Sequence, residues 1–290
     1  MSVSDFPSAL IKAAVQAALQ EDVGAGDLTA LLVPDDLMSA VLITREDGIL
    51  CGQAWFDETF AQLDVRARVT WYVHDGDRLR AGDRLCQVKG PARALLTGER
   101  TAINFLQTLS GTATMARRYA DCVAHTKARV LDTRKTVPGL RLMQKYAVRC
   151  GGGSNHRLGL YDGILIKENH IAAAGSLQAA LSAAQALASQ AFIEIEIETL
   201  TQLKEALDAR APRVLLDNFS LADLRTAVHI TQGRALLEAS GGVTLDTIAD
   251  IAETGVDFIS VGDLTKSVHA LDLSLRFEQA TATYELSAGA

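Results

Sequence analysis

The chain has 290 residues, 48% of them hydrophobic and 22% charged, with a net charge of −7; that suits a large α/β core with an accessory domain and argues against a broad nucleic-acid footprint, which needs an excess of Lys and Arg. No window reaches the roughly 18 uninterrupted apolar residues of a membrane helix, and the first apolar run, Ala9 to Leu19, is broken by Lys12 and Gln16 and followed by Glu21 and Asp22, so neither a span nor a signal peptide is expected. Cys51, Cys86, Cys122 and Cys150 are scattered without a CxxC pair, which argues against a disulfide framework or structural zinc and makes a reducing, cytoplasmic setting the natural one.

Leu10, Ala13, Ala14, Ala17 and Leu19 recur at helical spacing over residues 8–20 and stop near Gly24-Ala25-Gly26-Asp27, which predicts one amphipathic helix. From 40 to 90 the pattern shortens into strands at Ala40 to Thr44, Ile49 to Gln53, Arg66 to Val73 and Arg84 to Val88, punctuated by Asp47-Gly48, Asp75-Gly76 and Ala81-Gly82-Asp83. This reads as a small α+β unit. Its turns have the pattern of a biotinyl or lipoyl carrier, but no lysine sits in a tight hairpin to take the prosthetic group. Residues 91–122 read as a long helical stretch, interrupted at Gly111, that joins two domains.

Beyond about residue 128 the chain alternates strand and helix, which favours a parallel sheet with crossover helices. The strands are Ala128 to Thr133, Gly163 to Lys167, Phe192 to Glu198, Arg213 to Asp217, Ala235 to Ala239 and Phe258 to Val261, with helices such as Leu200 to Ala209, Leu221 to Ile230 and Leu245 to Glu253 between them. Such units close into a barrel or open into a doubly wound sheet. The barrel is preferred, because no GxGxxG turn follows the first strand.

Each strand ends on polar groups: Arg134-Lys135, Lys167-Glu168, Glu196, Asp217-Asn218, Ser240-Gly241-Gly242 and Gly262. In a parallel barrel these ends form one rim, where barrel enzymes keep their active sites. Ile193-Glu194-Ile195-Glu196-Ile197-Glu198 alternates with period two, so the isoleucines should pack under helices and the glutamates point into the lumen, where they need cations, metal or hydroxyl partners. An edge strand with a wet face is the bland alternative. Asp217 reads as a helix cap alone, and beside Glu196 as a ligand for Mg²⁺ or ribose hydroxyls. The basic half lies in Asp132 to Gly139 and in Cys150-Gly151-Gly152-Gly153-Ser154-Asn155-His156-Arg157. There Arg offers a fork for carboxylate or phosphate, and the glycine run either exposes N–H groups to an anion or is a turn. His156 alone reads equally as a structural histidine. Lys167 as a Schiff-base nucleophile would need a neutral pocket instead of the carboxylates expected here. A Cys150 thiol nucleophile near His156 lacks rigid geometry and reads better as a buried spacer.

At these residues the sequence resembles the quinolinate phosphoribosyltransferase family, type II phosphoribosyltransferases also described as nicotinate-nucleotide pyrophosphorylases (carboxylating). The resemblance runs through Glu21-Asp22, Gly26 to Thr29, Gly98 to Leu106, Ser110 to Thr114, Asp132 to Gly139, Gly151 to Arg157, Ile166 to Ile171, Ser260 to Gly262 and Ala270 to Asp272. It implies an incomplete (β/α) barrel at 116–275, an N-terminal α+β open-faced sandwich domain at 1–115, and a C-terminal segment, 276–290, returning to that domain. It further implies a homodimer or higher oligomer in which the sandwich covers the neighbour's barrel mouth.

The activity implied is transfer of the phosphoribosyl group of PRPP (phosphoribosyl pyrophosphate) to quinolinate, with loss of CO₂. The resemblance assigns Arg134, His156, Arg157 and, from across the dimer, Arg100 to the quinolinate carboxylates. Thr133 joins these substrate contacts, Lys135 and Lys167 meet the substrates and pyrophosphate, and Glu196 and Asp217 take ribose hydroxyls and Mg²⁺. Ser240, Gly241, Gly242, Val261 and Gly262 would cradle the 5′-phosphate. Asp263 departs from the family, which usually has alanine there; it is expected to point away or to cap the next helix. The competing readings are a phosphoribosyl-transferring enzyme for another base, a Schiff-base lyase using Lys167, and a catalytically silent binding protein.

Overall fold

In the computed structural model, which describes residues 6–187 and 191–278, the N-terminal periodicity forms helix α1, Ser8–Val23, and ends at Gly24, whose φ of 54° favours glycine. Strand β1, Leu37–Thr44, and the two-residue β2, Gly48–Ile49, follow. The strand expected at Ile49 to Gln53 stops at Ile49, and Gln53–Leu63 is a helix, α2, that the strand reading missed. Its buried Trp55, Phe56, Thr59 and Phe60 recur at helical spacing, but over barely three turns between Gly-punctuated strands that signal is short. Strands β3, Arg68–Trp71, β4, Arg78–Leu79, and β5, Arg84–Pro91, complete this region.

The described residues up to Gln107 and those from Leu271 onward form one compact unit. Its antiparallel sheet has the order β12-β1-β5-β3, with β12, Leu273–Phe277, pairing along β1 from Ala40↔Phe277 to Thr44↔Leu273. Leu42, Leu50, Phe56, Phe60, Leu85 and Leu95 fill the core beneath it. Of the expected C-terminal segment, everything from residue 279 lies outside the described residues.

The long helix α3, Ala92–Val123, is continuous through Gly111. Glycine is needed there for approach and not for a break: a Cβ would lie 2.0 Å from the carbonyl oxygen of His269.

Thr108–Ala270 form the second unit. Its strands are β6, Arg129–Leu131, β7, Gly163–Ile166, β8, Phe192–Ile197, β9, Arg213–Asp217, β10, Leu236–Ser240, and β11, Phe258–Ser260. Between and after them run α4, Arg141–Cys150, α5, Glu168–Ala174, α6, Leu177–Leu187, α7, Leu200–Asp208, α8, Leu221–Thr231, α9, Ile248–Ala252, and α10, Asp263–Lys266. The six strands form one all-parallel sheet in the order β6-β11-β10-β9-β8-β7. Consecutive strands β6 and β7 therefore stand at opposite edges, the topology of a (β/α) barrel left open between them. Part of the β6–β7 connection lies along β6 through a parallel bridge, Leu131↔Ser154.

Period-two alternation in β8 works as expected. Ile193, Ile195 and Ile197 join the apolar core together with Leu203, Ala206 and Leu207 of α7. Glu194 is fully buried on the other face, Glu196 is half-buried, and Glu198 lies exposed beyond the strand end. Thr199 and Ser220 cap α7 and α8 by accepting from the N–H groups of Gln202 and Asp223, at 3.2 and 3.1 Å.

Candidate active site

The strand ends and following connections of the parallel unit line a cavity of about 290 Å³. Thr133, Arg134, Lys135, His156, Arg157, Lys167, Glu196, Asp217 and Ser240 all border it, together with Leu165, Leu215, Glu238 and Ser260. Gly241, Gly242, Val261 and Gly262 stand in the same strand-end turns without bordering it. Arg100 is exposed on α3, within the other unit.

The turn carrying Arg134 and Lys135 is held by polar groups that have no signature in the sequence pattern. The Lys135 N–H donates to Thr133 Oγ1 at 3.0 Å, and the Thr265 hydroxyl donates to the Lys135 carbonyl at 2.7 Å. Buried Gln144 accepts from Val137 N–H and donates to the Thr265 carbonyl, both at 2.8 Å. Arg141 Nε reaches Thr136 Oγ1 at 3.1 Å.

The segment bringing His156 and Arg157 is fastened just as firmly. Lys145, on α4, is 1% exposed and forms an ion pair with Asp132 at the end of β6, while also donating to the His156 carbonyl at 3.0 Å. Asp132 further accepts from Asn155 Nδ2 at 2.5 Å and from the His156 N–H at 2.9 Å. Burial pushes the Asp132 pKa up and the Lys145 pKa down, and each partner's charge opposes that push. In so dry a place the pair holds because the carboxylate's other lone pairs are also satisfied.

The glycine run before His156 is a structural turn, not an anion cradle. The N–H groups of Gly151, Gly152 and Gly153 donate to the carbonyls of Ala147, Arg149 and Val148, all at 2.9 Å, closing the end of α4. Gly151 also packs where a Cβ would meet the Ala113 carbonyl oxygen at 2.2 Å.

Below the rim lies a charged floor, in which the alternation of β8 placed Glu194 but strand positions did not single out Arg213 or Glu238. Arg213 Nε lies 2.8 Å from Glu194 Oε1 in an ion pair, its terminal nitrogen meets Glu238 Oε2, and its guanidinium lies 4.2 Å from the Phe258 ring centroid and 5.5 Å from that of Phe192. His156 Nδ1 accepts from the Arg157 N–H at 2.7 Å and Nε2 lies 2.8 Å from Glu194 Oε2. That pattern sets a neutral imidazole with its proton on Nε2, and burial lowers the His156 pKa accordingly. Both ring nitrogens are thus engaged by the protein, which competes with the expectation of a direct His156 bond to substrate. Burial raises the Glu194 pKa and, aided by the Glu194 charge, lifts that of Glu238 to about 7.

On the rim, Lys167 Nζ bonds Glu196 Oε2 at 2.6 Å. A salt bridge is not the apolar setting an imine-forming lysine requires. Asp217 accepts from Asn218 Nδ2 at 2.9 Å and does not cap α8, since Ser220 does. Asn218 takes a left-handed φ of 57°, and Gly241 is needed opposite, where a Cβ would lie 2.2 Å from Asn218 Oδ1. The N–H groups of Gly241 and Gly242 donate to no backbone carbonyl among the described residues, whereas that of Val261 is spent on the Leu131 carbonyl. Asp263 begins α10 without capping it and pairs with Lys266 at 3.1 Å.

The arrangement is one cavity lined by a set of cations and a set of carboxylates, which meet where Lys167 pairs with Glu196. Arg134, Lys135, Arg157 and Lys167 come from the two edge strands and the connection between them, and Glu196, Asp217 and Glu238 from β8, β9 and β10. The Arg157 pKa is depressed by burial and by the charge of Arg134, so an anion between the two would relieve both.

Residues 112–276 match the model of the quinolinate phosphoribosyl transferase C-terminal domain, and residues 27–110 that of its N-terminal domain. A Bacillus subtilis protein described as a probable nicotinate-nucleotide pyrophosphorylase (carboxylating) is 45% identical over 257 residues, spanning 88% of this chain and 89% of that one. The chloroplastic nicotinate-nucleotide pyrophosphorylase (carboxylating) of Arabidopsis thaliana is 40% identical over 294 residues, covering 94% and 84%. Among solved structures, the nicotinate-nucleotide pyrophosphorylase of Francisella tularensis superimposes with a TM-score of 0.94 at 46% identity, covering 96% of this chain and 99% of that one. With both domain models matched over most of its length and a cavity of the corresponding chemistry, the chain belongs to the quinolinate phosphoribosyltransferase family.

Proposed function

We propose that this chain transfers the phosphoribosyl group of PRPP to quinolinate with decarboxylation, giving nicotinate mononucleotide, pyrophosphate and CO₂, the reaction carried in its relatives' names. The observation that carries the reading is that one cavity is lined by both a basic set and an acidic set of side chains, matching a dicarboxylate acceptor and a ribose donor that develops positive charge.

Arg134 and Arg157 take the quinolinate carboxylates by charge-assisted hydrogen bonds. His156, with both ring nitrogens already engaged, shapes the surface beneath the acceptor. The pyridine nitrogen displaces pyrophosphate at ribose C1 through an oxocarbenium-like transition state, whose positive charge Glu196 and Asp217 stabilise. Lys135 and Lys167 balance the departing pyrophosphate, and Thr133 keeps the Lys135 turn in register through its 3.0 Å bond. The ring nitrogen, once alkylated, carries the positive charge that stabilises the electron pair left on the neighbouring ring carbon as its carboxylate departs as CO₂, and a proton from solvent then bonds to that carbon. Ser240 with the N–H groups of Gly241, Gly242 and Gly262, none of which donates to a backbone carbonyl among the described residues, is the side for the 5′-phosphate.

The donor set suits Mg²⁺: Glu196 and Asp217 end neighbouring strands with hard oxygen ligands, and no sulfur lines the cavity. They would hold it directly or through water and PRPP, and when bound it would supply charge neutralisation of the pyrophosphate.

Arg100 is the residue of the basic set that we assign to a second copy of the chain in a homodimer. No helix among the described residues is long and apolar enough to cross a membrane, and the reducing cytosol is the proposed compartment, from the scattered cysteines of the sequence.

The test is an assay with quinolinate, PRPP and Mg²⁺ that follows CO₂ and pyrophosphate together. Equal release of both is expected. Turnover of nicotinate in place of quinolinate, or release of pyrophosphate without CO₂, would overturn the assignment.

A further inference from the structure

Glu238 is fully buried yet borders the cavity. It precedes Ser240 by two residues on β10 and so faces the lumen one layer below the rim. Its Oε2 is held by Arg213, while its Oε1 has no hydrogen-bond partner among the described residues. An orphaned carboxyl oxygen in a dry lumen is costly unless a ligand completes it.

The charges around it decide what that ligand contact must be. Glu194 from β8, within hydrogen-bonding reach of Glu238, Arg213 from β9 and neutral His156 from the β6–β7 connection face Glu238 directly, and among the described residues β11 presents Phe258 and Ser260. Two carboxylates share one guanidinium, which leaves one negative charge uncompensated in the floor. Above it stand Arg134, Lys135, Arg157 and Lys167, with Glu196 and Asp217 opposite. A dianionic acceptor seated on those cations cannot lie against an ionised, unpartnered Glu238 oxygen. A proton on that oxygen removes the repulsion and turns the orphan acceptor into a donor.

We propose that Glu238 is a substrate-contacting, specificity-determining residue: its free carboxyl oxygen carries a proton and donates a hydrogen bond to a carboxylate of the bound dicarboxylate, so that binding takes up a proton from solvent. This rests on the reading that the cavity accepts quinolinate. The proton returns to solvent on release, and no bond of the substrate changes in this step. The raised pKa of Glu238, about 7, places the group where a nearby anion shifts it to the protonated form at neutral pH.

The experiment is calorimetric titration of the whole protein with quinolinate at pH 7.4, in Pipes and in Tris, which differ in ionisation enthalpy. Uptake of roughly 0.7 proton per site is expected in the unaltered protein. Glu238→Gln keeps a donor and should still bind quinolinate, but without proton uptake. Glu238→Ala should raise the quinolinate KM by roughly ten- to a hundredfold with a far smaller change for PRPP. Absence of uptake in the unaltered protein overturns the proposal. So does uptake that persists in Glu238→Gln, since the proton would then reside on Glu194 or His156. An equal rise of both KM values in Glu238→Ala overturns it too, by making the residue merely structural. Failure to turn over quinolinate with PRPP would instead sink the reaction assignment, and turnover without proton uptake would sink this inference alone.

Discussion

Lys145 shows how a residue with no contact to the cavity can govern it. Its ammonium holds Asp132, and Asp132 in turn holds Asn155 and the His156 N–H. Lys145→Met removes one partner of a fully buried pair and should cost about 3–5 kcal/mol, read as a lower midpoint in a thermal melt. Adding Asp132→Leu should recover part of that stability without recovering quinolinate affinity, because the loop anchor is still missing. Arg134→Ala or Arg157→Ala should raise the quinolinate KM by roughly tenfold or more, the loss of a charge-assisted bond of about 1.5–3 kcal/mol, with less effect on PRPP in steady-state kinetics.

At this scale the sequence exposed the rim and hid its supports. Arg134, Lys167, Glu196 and Asp217 were legible because charge at the end of an apolar strand is unusual. Gln144 and Lys145 were not, since α4 buries Met143 through Val148 on every side and leaves no polar face to break the pattern. Arg213 and Glu238 look like surface residues of a strand until the sheet closes over them. Gly151 to Gly153 misled for a different reason: glycine signals both anion contact and close packing, and only the carbonyls of α4 decide between them.

Among the elements, the six parallel strands were read almost to the residue, because each is a short apolar run ending in charged, polar or glycine turn residues. Helix α2 was missed, and with it Asp57, whose carboxylate accepts from Trp71 Nε1 at 2.8 Å. Burial, opposed by that bond and reinforced by Asp75, raises the Asp57 pKa to about 6. A carboxyl group whose pKa is raised on folding costs stability above its unfolded value, and the cost grows as pH rises through about 4 to 6. Asp57→Asn, which can keep the bond to Trp71, should raise the melting temperature by a few degrees at pH 8. The gain should fade towards pH 4. In α3, Gly111→Ala should destabilise the protein by more than the roughly 1 kcal/mol that alanine would ordinarily gain in a helix, because its methyl group has no room beside the His269 carbonyl; chemical denaturation would read the loss.

For the whole molecule, the passage from one compact unit to the other falls within α3, between Gln107 and Thr108. No Gly- or Pro-rich linker marks it, so composition could not fix the boundary. If Arg100 serves the site of a second copy, Arg100→Ala and Lys167→Ala subunits should each be nearly inactive and regain activity when co-expressed. Statistical pairing of a two-fold dimer gives about a quarter of native sites. No recovery would confine each site to a single chain.

The barrel is open between β6 and β7, and the chain crossing that opening carries His156 and Arg157 while the neighbouring edge strands carry Arg134, Lys135 and Lys167. The contiguous strands β8, β9 and β10 carry the carboxylates. That opening is one part of acceptor recognition that can vary alone: a graft confined to residues 151–162 should shift which aromatic acid is preferred, within limits set by Arg134 and Glu238, while leaving Glu196 and Asp217 on the sheet untouched. An interrupted barrel leaves one seam in its wall that can diversify without any strand changing register.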